Sequence, residues 1–306
     1  MAASVERDSL SGPPRHVAER GRPGPGGRQA GRAAGRPAGR PAAVLGAARE
    51  VWAYRDLLVN LVRRDLAVRY KRSALGFLWS FLNPLLMMLV FAIVFMVVKP
   101  LSVRSYPLFV LCGLLPWNFL AGSLSGAVRS ITSNANLIDK VYFPRELLPL
   151  SVVLANLVNF LLSLLIFLPL ALVLGARFSA WTLALPVIVG VQLLLVLGLA
   201  LLLSALNVFY RDTELVLDVA LTAWFFLTPI FYELELLPNR LLGIDVWRFV
   251  YTLNPMATLV TDYRYILLYE YPVIRHTLVS FALGGFLLVT GWVLFRRAAP
   301  AFAEEV

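Results

Sequence analysis

The chain has 306 residues, 59% of them hydrophobic, with a mean hydropathy of +0.75 and only 15% charged residues, against about 25% in soluble domains. So charge-poor a chain, carrying several long apolar runs, is an integral membrane protein, which excludes a soluble globular enzyme. The net charge of +10 does not signal nucleic acid, because most of the excess sits where the cytoplasmic flanks of membrane helices would hold it.

Residues 11–47 are rich in Gly, Pro, Ala and Arg, with Gly-Arg pairs beginning at 21, 27, 31, 35 and 39. Such a composition cannot bury a core, so residues 1–49 are expected as a disordered cytoplasmic tail. The tail lacks the apolar centre of a secretory signal. Attraction to anionic lipid is preferred over an RGG-like contact with RNA.

Residues 50–72 follow as an expected amphipathic interfacial helix. Val51, Tyr54, Leu58, Leu61, Val62, Leu66 and Tyr70 recur at three- and four-residue steps, with Asp56, Asn60, Arg63, Arg64 and Lys71 mainly opposite. A basic face beside an apolar one suits the headgroup boundary. Arg63, Arg64, Arg69, Lys71 and Arg72 then precede a run with no charge before Lys99. Lys and Arg within about 15–20 residues of a span hold that end in the cytoplasm, so the first span runs outward. A plain stop-transfer flank is the alternative.

Six charge-poor spans are expected, at 73–98, 105–128, 147–176, 178–206, 214–232 and 276–295. A spanning helix needs about 20 residues, and the fifth has the least margin. An even count returns the tail 298–306 to the cytoplasm, so both termini are expected there. The basic residues agree: 15 in residues 1–72, with Arg129, Lys140, Arg145, Arg211, Arg296 and Arg297, fall inside. Lys99, Arg104, Arg177, Arg240, Arg248, Arg264 and Arg275 fall outside.

The long outer segment 233–275 contains an uncharged run, 249–261, of 13 residues. As a helix it would reach only about 20 Å at about 1.5 Å per residue, short of a hydrocarbon core of about 30 Å. It reads as a re-entrant segment between the fifth and sixth spans, broken at Asn254-Pro255. A surface helix in the outer loop is the alternative.

The chemistry-bearing residues are few. No lysine closes a G-x-x-x-x-G-K-[ST] phosphate loop. His16 and His276 stand far apart, and Cys112 is the single cysteine, so neither catalytic nor metal-ligating residues are expected. Asp218, near the inner end of the fifth span, is a poor ion relay. The energy source is therefore expected in a partner. The loop between the second and third spans holds Asn134, Asn136, Leu137, Ile138, Asp139, Lys140, Val141, Phe143, Pro144, Arg145 and Glu146. Asn134 or Asn136 could cap a short helix that Pro144 stops. Its apolar patch of Leu137, Ile138 and Val141 would suit a partner's groove.

Four stretches resemble permeases of the type-2 ABC polysaccharide exporter family. Arg69-Tyr70-Lys71-Arg72-Ser73, followed by Leu75, Gly76, Leu78, Trp79, Leu82 and Pro84-Leu85, is similar to the family's approach to its first helix. Asn136-Leu137-Ile138, Lys140 and Phe143-Pro144 resemble its coupling helix. Asn207 with Arg211-Asp212 resembles an inner-loop motif, and Leu253-Asn254-Pro255-Met256 its external turn. The resemblance covers about residues 50–297. It implies that Asn136, Leu137, Ile138, Lys140, Phe143, Pro144, Arg145, Arg211 and Asp212 couple to an ABC ATP-binding subunit. Two copies of that subunit would carry the ATP and Mg. It also implies a second copy of this chain, and a channel for a lipid-linked glycan across the cytoplasmic membrane. Trp79, Phe81, Trp117, Trp224, Phe225, Phe231 and Tyr232 are the candidate channel aromatics, although interfacial belts also use such residues. A small-drug exporter is the alternative within transport, and a polyprenyl-phosphate glycosyltransferase the alternative outside it.

Overall fold

Backbone amides inside a bilayer have no water to bond, and helices satisfy them internally. The computed structural model describes residues 51–71, 76–98, 106–140, 143–233, 240–241, 244–271 and 275–305. These form helices and one antiparallel pair of two-residue strands, β1 (Arg240–Leu241) and β2 (Ile244–Asp245). The tail 1–49, Arg72, the outer loop 99–105 and Val141 lie outside the described residues.

The helices are α1 (Arg55–Tyr70), α2 (Trp79–Val98), α3 (Tyr106–Val128), α4 (Ala135–Lys140), α5 (Leu147–Val173), α6 (Leu185–Phe209), α7 (Thr213–Leu227), α8 (Val246–Leu253), α9 (Pro255–Arg264), α10 (Arg275–Ala298) and α11 (Phe302–Glu305). Four stretches among the described residues are long and apolar enough to cross a membrane: Tyr106–Val128, Leu147–Val173, Ala180–Phe209 and Thr277–Ala301. Of the other two expected spans, α2 has 20 residues, about 30 Å of helix. α7 has only 15 residues, about 22 Å, and stops short of the expected 232. Thr228 precedes Pro229 and is extended, with φ −94° and ψ 129°. The proline ring crowds the preceding residue out of the helical region.

Helix α3 is buried on almost every side and packs against α2, α5, α6, α7 and α9. A helix that is apolar all round belongs in the middle of a bundle. Helices α6 and α10 form the most extensive pair, because small residues let their backbones meet. A Cβ on Gly291 would stand 2.3 Å from the Gly198 carbonyl oxygen, and one on Gly198 would stand 2.5 Å from Leu287 backbone. Close approach of this kind is how apolar helices associate where lipid tails already match their side chains. Helix α5 ends where Gly175 takes φ 90° and donates to the Leu172 carbonyl at 3.0 Å, while Ala176 donates to Ala171 at 2.9 Å. Those bonds cap its last carbonyls.

Two apolar cores result. The larger surrounds α3. The smaller gathers Leu61, Ile131, Ile138, Phe143, Leu147, Leu148, Leu201, Ala205, Val208, Phe295 and Phe302 at one end of the bundle. Contacts of α1 with Asn134 and of Arg145 with the Ala299 carbonyl put α1, α4 and the C-terminal turns at that same end. Part of the apolar face expected of this segment is covered by protein. Leu61 is buried, and Val51, Tyr54, Leu57 and Leu58 pack against the smaller core. Trp52 and Val59 point away and are exposed.

Replacing Gly291 with Leu is expected to lower stability by about 1–3 kcal/mol, the usual range for overpacking. Gly285→Leu is the control, since nothing stands within 4 Å of its Cβ position. Thermal denaturation of the purified protein in detergent should show a lower midpoint for the first variant only.

Candidate functional site

The loop between α3 and α5 is tied down on three sides. Arg129 Nε lies 2.8 Å from Glu214 Oε1, joining it to the start of α7. Arg296 Nε donates to Glu146 Oε1 at 2.6 Å, joining it to α10. Arg145 donates to the Ala299 carbonyl, and its guanidinium lies 6.0 Å from the Phe302 ring centre. On the α1 side, Arg64 donates to Asn134 Oδ1 at 3.2 Å.

The expected coupling residues fall in this layer. Ile138 and Phe143 are buried in the smaller core, and Leu137 packs partly against it. The apolar side of α4 therefore faces this chain's own body, and Asn136 is exposed. Asn134 does not cap α4 through its oxygen, which accepts from Arg64 while its amide donates to the Ser130 carbonyl at 2.8 Å. Pro144 is buried just before α5, and its carbonyl accepts from Leu147 N at 3.1 Å. Arg211 and Asp212 are exposed in the α6–α7 turn, beside the Arg129–Glu214 pair. Lys140 closes α4.

Above this layer a cavity of about 480 Å³ opens between α1, α2, α3 and α5, lined by Arg69, Trp79, Asn83, Asn118, Asn156, Asn159 and Ser163 among others. A second cavity of about 500 Å³, lined by Arg64, Asp65, Ser130, Ser133, Asn134 and Ser151 among others, shares Arg69 with it. Arg69 is placed by Asn156, whose Oδ1 accepts from Arg69 Nη1 at 2.8 Å. The Asn156 amide nitrogen is pinned in turn to the carbonyls of Gly122 and Val152, at 3.3 and 2.9 Å. Gly122 permits this approach, for a Cβ there would meet Asn156 Oδ1 at 3.2 Å. Ser151 Oγ donates to Asp65 Oδ2 at 3.1 Å, fixing α1 along α5. Of the five basic residues singled out before the first span, Arg64 and Arg69 line cavities, while Arg63 and Lys71 are exposed.

The aromatic residues divide. Trp79 lines the amide cavity, whereas Phe81 is buried in the larger core. Trp117, Trp224, Phe225, Phe231 and Tyr232 come together in one cluster with Phe91 and Phe226. Trp117 and Trp224 meet edge to face at 6.0 Å, Trp117 lies 5.5 Å from Phe225, and Phe231 lies 5.9 Å from Phe225 and 5.2 Å from Tyr232. Trp224 Nε1 donates to Asn254 Oδ1 at 2.8 Å.

Asn254 is the expected break. Its Oδ1 also accepts from Met256 N and Ala257 N, both at 3.1 Å, which caps α9. Its amide nitrogen donates to Leu227 O and Thr228 Oγ1, both at 3.2 Å. At the other end of α9, buried Arg264 donates to the carbonyls of Phe109 (3.3 Å), Pro229 (2.6 Å) and Ile230 (2.6 Å). Its guanidinium lies 3.4 Å from the Phe109 ring centre.

Sequence reasoning missed the amides Asn83, Asn118, Asn156 and Asn159. Asn156 and Asn159 are three apart on a helix and so share a face; polar side chains recurring at that step inside an apolar run were the available signal. It also missed Tyr263, Tyr265, Tyr269 and Tyr271, four of the chain's 11 tyrosines within nine residues.

Glu146 has little exposure and a charged partner, a combination usually worth about 1.5–3 kcal/mol. A double-mutant cycle with Glu146→Gln and Arg296→Gln should give a coupling energy of about 2 kcal/mol in chemical unfolding. Additive losses would show that the pair does not hold the loop.

Residues 56–268 match the family model described as ABC-2 type transporter. The chain is 39% identical over 264 residues to the O-antigen export system permease protein RfbA of Myxococcus xanthus, covering 84% of this chain and 98% of that protein. It is 31% identical over 250 residues to a protein of the same description from Klebsiella pneumoniae, covering 81% and 94%. It is 24% identical over 207 residues to the polysialic acid transport protein KpsM of Escherichia coli, covering 65% and 76%. The apolar helices and these matches together identify the chain as a multi-pass membrane protein of the ABC-2 type transporter family.

Proposed function

We propose that this chain is the permease subunit of an ATP-driven exporter that carries a lipid-linked polysaccharide across the cytoplasmic membrane. The observation that carries this reading is the amide-lined cavity with Arg69 at the join to the basic α1 end. Sites for hydrophobic small molecules are lined predominantly by apolar side chains. Here Asn83, Asn118 and Ser163 offer donors and acceptors within the spans, where polar groups persist only when paired or facing a polar path. Sugar hydroxyls supply such partners, and Trp79 supplies a ring face. Arg64 and Arg69 suit a lipid phosphate, since guanidinium–phosphate bonds are charge-assisted. The relatives' names, O-antigen and polysialic acid transport, agree with a glycan substrate over a drug.

In this reading α2, α3, α5, α6, α7 and α10 are six spans, with short α7 completed by the extended residues after it. The α1/α4 end is cytoplasmic, as the positive-inside distribution asks, and both termini lie there. Helices α8 and α9, of 8 and 10 residues, are each too short to cross and form the re-entrant segment. The exposed apolar side chains of α2 and α7, among them Met87, Val90, Val216 and Val219, face lipid and a second copy of this chain across the channel. Two ATP-binding subunits carry the ATP and Mg and press on Asn136, Lys140, Arg211 and Asp212. Because the loop is tied to α1, α7 and α10, that push reaches three elements together.

Depleting the protein from cells should leave long polyprenyl-linked polymer inside and remove the surface glycan, measured by extraction and mass spectrometry. An unchanged surface glycan would refute the reading. For the coupling contact, Cys112 is the chain's single cysteine, so Asn136→Cys in a Cys112→Ser background gives one reactive thiol. A bifunctional maleimide–amine reagent should join it to the ATP-binding subunit in membranes; absence of that cross-link would move the contact elsewhere.

A further inference from the structure

At the end of the bundle away from α4, a cavity of about 400 Å³ is lined by Phe109, Pro229, Glu233, Tyr251, Thr261, Arg264, Tyr265, Tyr269 and Tyr271. Its volume lies within the range of about 300–1,000 Å³ common to small-molecule sites. We propose that this cavity is a pyranose-binding pocket on the outer side, which holds a sugar unit of the polymer as it leaves the spans. The proposal rests on the export reading above and adds a second contact point for the same substrate.

The walls are aromatic. Tyr265 stands edge to face with Tyr269, at 6.3 Å and 68°, and with Tyr271, at 6.1 Å and 73°. Rings set nearly at right angles make the sides of a cup rather than a flat stack. Tyr269 is 38% and Tyr271 62% exposed, so the cup opens to solvent. An aromatic face carries negative quadrupole charge, which matches the weakly positive C–H face of a pyranose.

The backbone that builds the cup is unusual. Residues Tyr265–Tyr269 form a turn of π-helix, a feature frequent at functional sites. It ends at Glu270, the only non-glycine residue with positive φ (58°) among those described. The left-handed step returns the chain so that Tyr271 N donates to the Tyr265 carbonyl at 3.0 Å. Left-handed backbone at a residue with a Cβ costs about 1–2 kcal/mol and persists where the surroundings hold it. Here its result is to bring Tyr271 alongside Tyr265.

The floor is polar and close to neutral. Arg264 has five N–H donors. Its bonds to Phe109, Pro229 and Ile230 occupy Nε–H, both on Nη2 and one on Nη1, and among the described residues the second Nη1–H has no acceptor. Glu233 brings a carboxylate to the same cavity, and Thr261 a hydroxyl. A carboxylate and a guanidinium N–H bond vicinal hydroxyls as acceptor and donor. Glu233 disfavours an anion, so the class selected is an uncharged hexose or deoxyhexose, and a phosphate is refused.

The test uses the full chain in lipid nanodiscs, with methyl α-D-mannopyranoside, methyl β-D-galactopyranoside and methyl α-L-rhamnopyranoside as probes. Saturation-transfer NMR should show at least one probe receiving saturation through its ring C–H protons. The Tyr269→Ala/Tyr271→Ala double variant should bind that probe about tenfold more weakly, from the loss of two ring contacts, while Tyr269→Phe/Tyr271→Phe binds normally. No saturation with any probe, or equal saturation in wild type and the alanine variant, would overturn the proposal. In cells, the alanine variant present at wild-type level in the membrane should slow appearance of the surface glycan. If depletion of the whole chain abolishes the surface glycan and the alanine variant exports at the normal rate, the pocket fails and the export reading stands. If depletion itself changes nothing, the export reading fails.

Discussion

The guanidinium of Arg264 joins three segments that apolar packing alone would leave free to slide. It is fully enclosed, rests on the Phe109 ring, and bonds the carbonyls of Phe109, Pro229 and Ile230. Those carbonyls belong to α3 and to the extended stretch after α7, where the helix has ended and the backbone would otherwise carry unpaired acceptors. Leaving a buried polar group unsatisfied costs about 1–3 kcal/mol, and Arg264 supplies the partners that the Pro229 and Ile230 carbonyls need once proline has ended α7. Asn254 does the same work from the other end of α9, bonding α9's first amides, the Trp224 indole and the last carbonyl of α7. Between them these two residues place the short α9 against α3 and the aromatic cluster.

The same rule governs the opposite end. There the loop between α3 and α5 is held by ion pairs and by one small apolar core, with Ile138 and Phe143 turned inward. In the proposed export reading, a partner pressing on this loop meets an element joined to α1, α7 and α10. Between the two ends, one side of the bundle is polar. The amides of Asn83, Asn118, Asn156 and Asn159 collect there with Arg69. In the proposed export reading, this polar wall is where a hydroxyl-rich chain passes.

Several features were legible in the residues alone. The membrane class follows from hydropathy, because a bilayer admits few charges. A helix was expected over 50–72 from its three- and four-residue period, and α1 stands at Arg55–Tyr70. A break was expected at Asn254-Pro255, and the structure ends α8 there and caps α9 with Asn254. Four stretches carried a family resemblance that the family match bears out over residues 56–268. Other features misled. The patch of Leu137 and Ile138 looked like a surface for a partner, since a six-residue helix gives no sign of which side its own chain will cover. Asn134 looked like a cap, and its oxygen serves Arg64, 70 residues earlier. Phe81 was grouped with the channel aromatics and is packed in the core, because aromaticity says nothing about facing.

What the sequence by itself determined is whatever depends on neighbours along the chain: apolar runs, charge asymmetry, the Asn-Pro break, and the Thr228-Pro229 step that shortens α7. Hydropathy and backbone sterics act over a few residues and are written locally. What only the tertiary structure decided is which distant residues share a space. Arg69 meets Asn156, 87 positions on, and Arg264 meets Phe109, 155 positions back. Tyr251 and Glu233 join the tyrosines after Arg264 in one cavity. Burial sets the strength of each of these contacts, and burial belongs to the packed bundle.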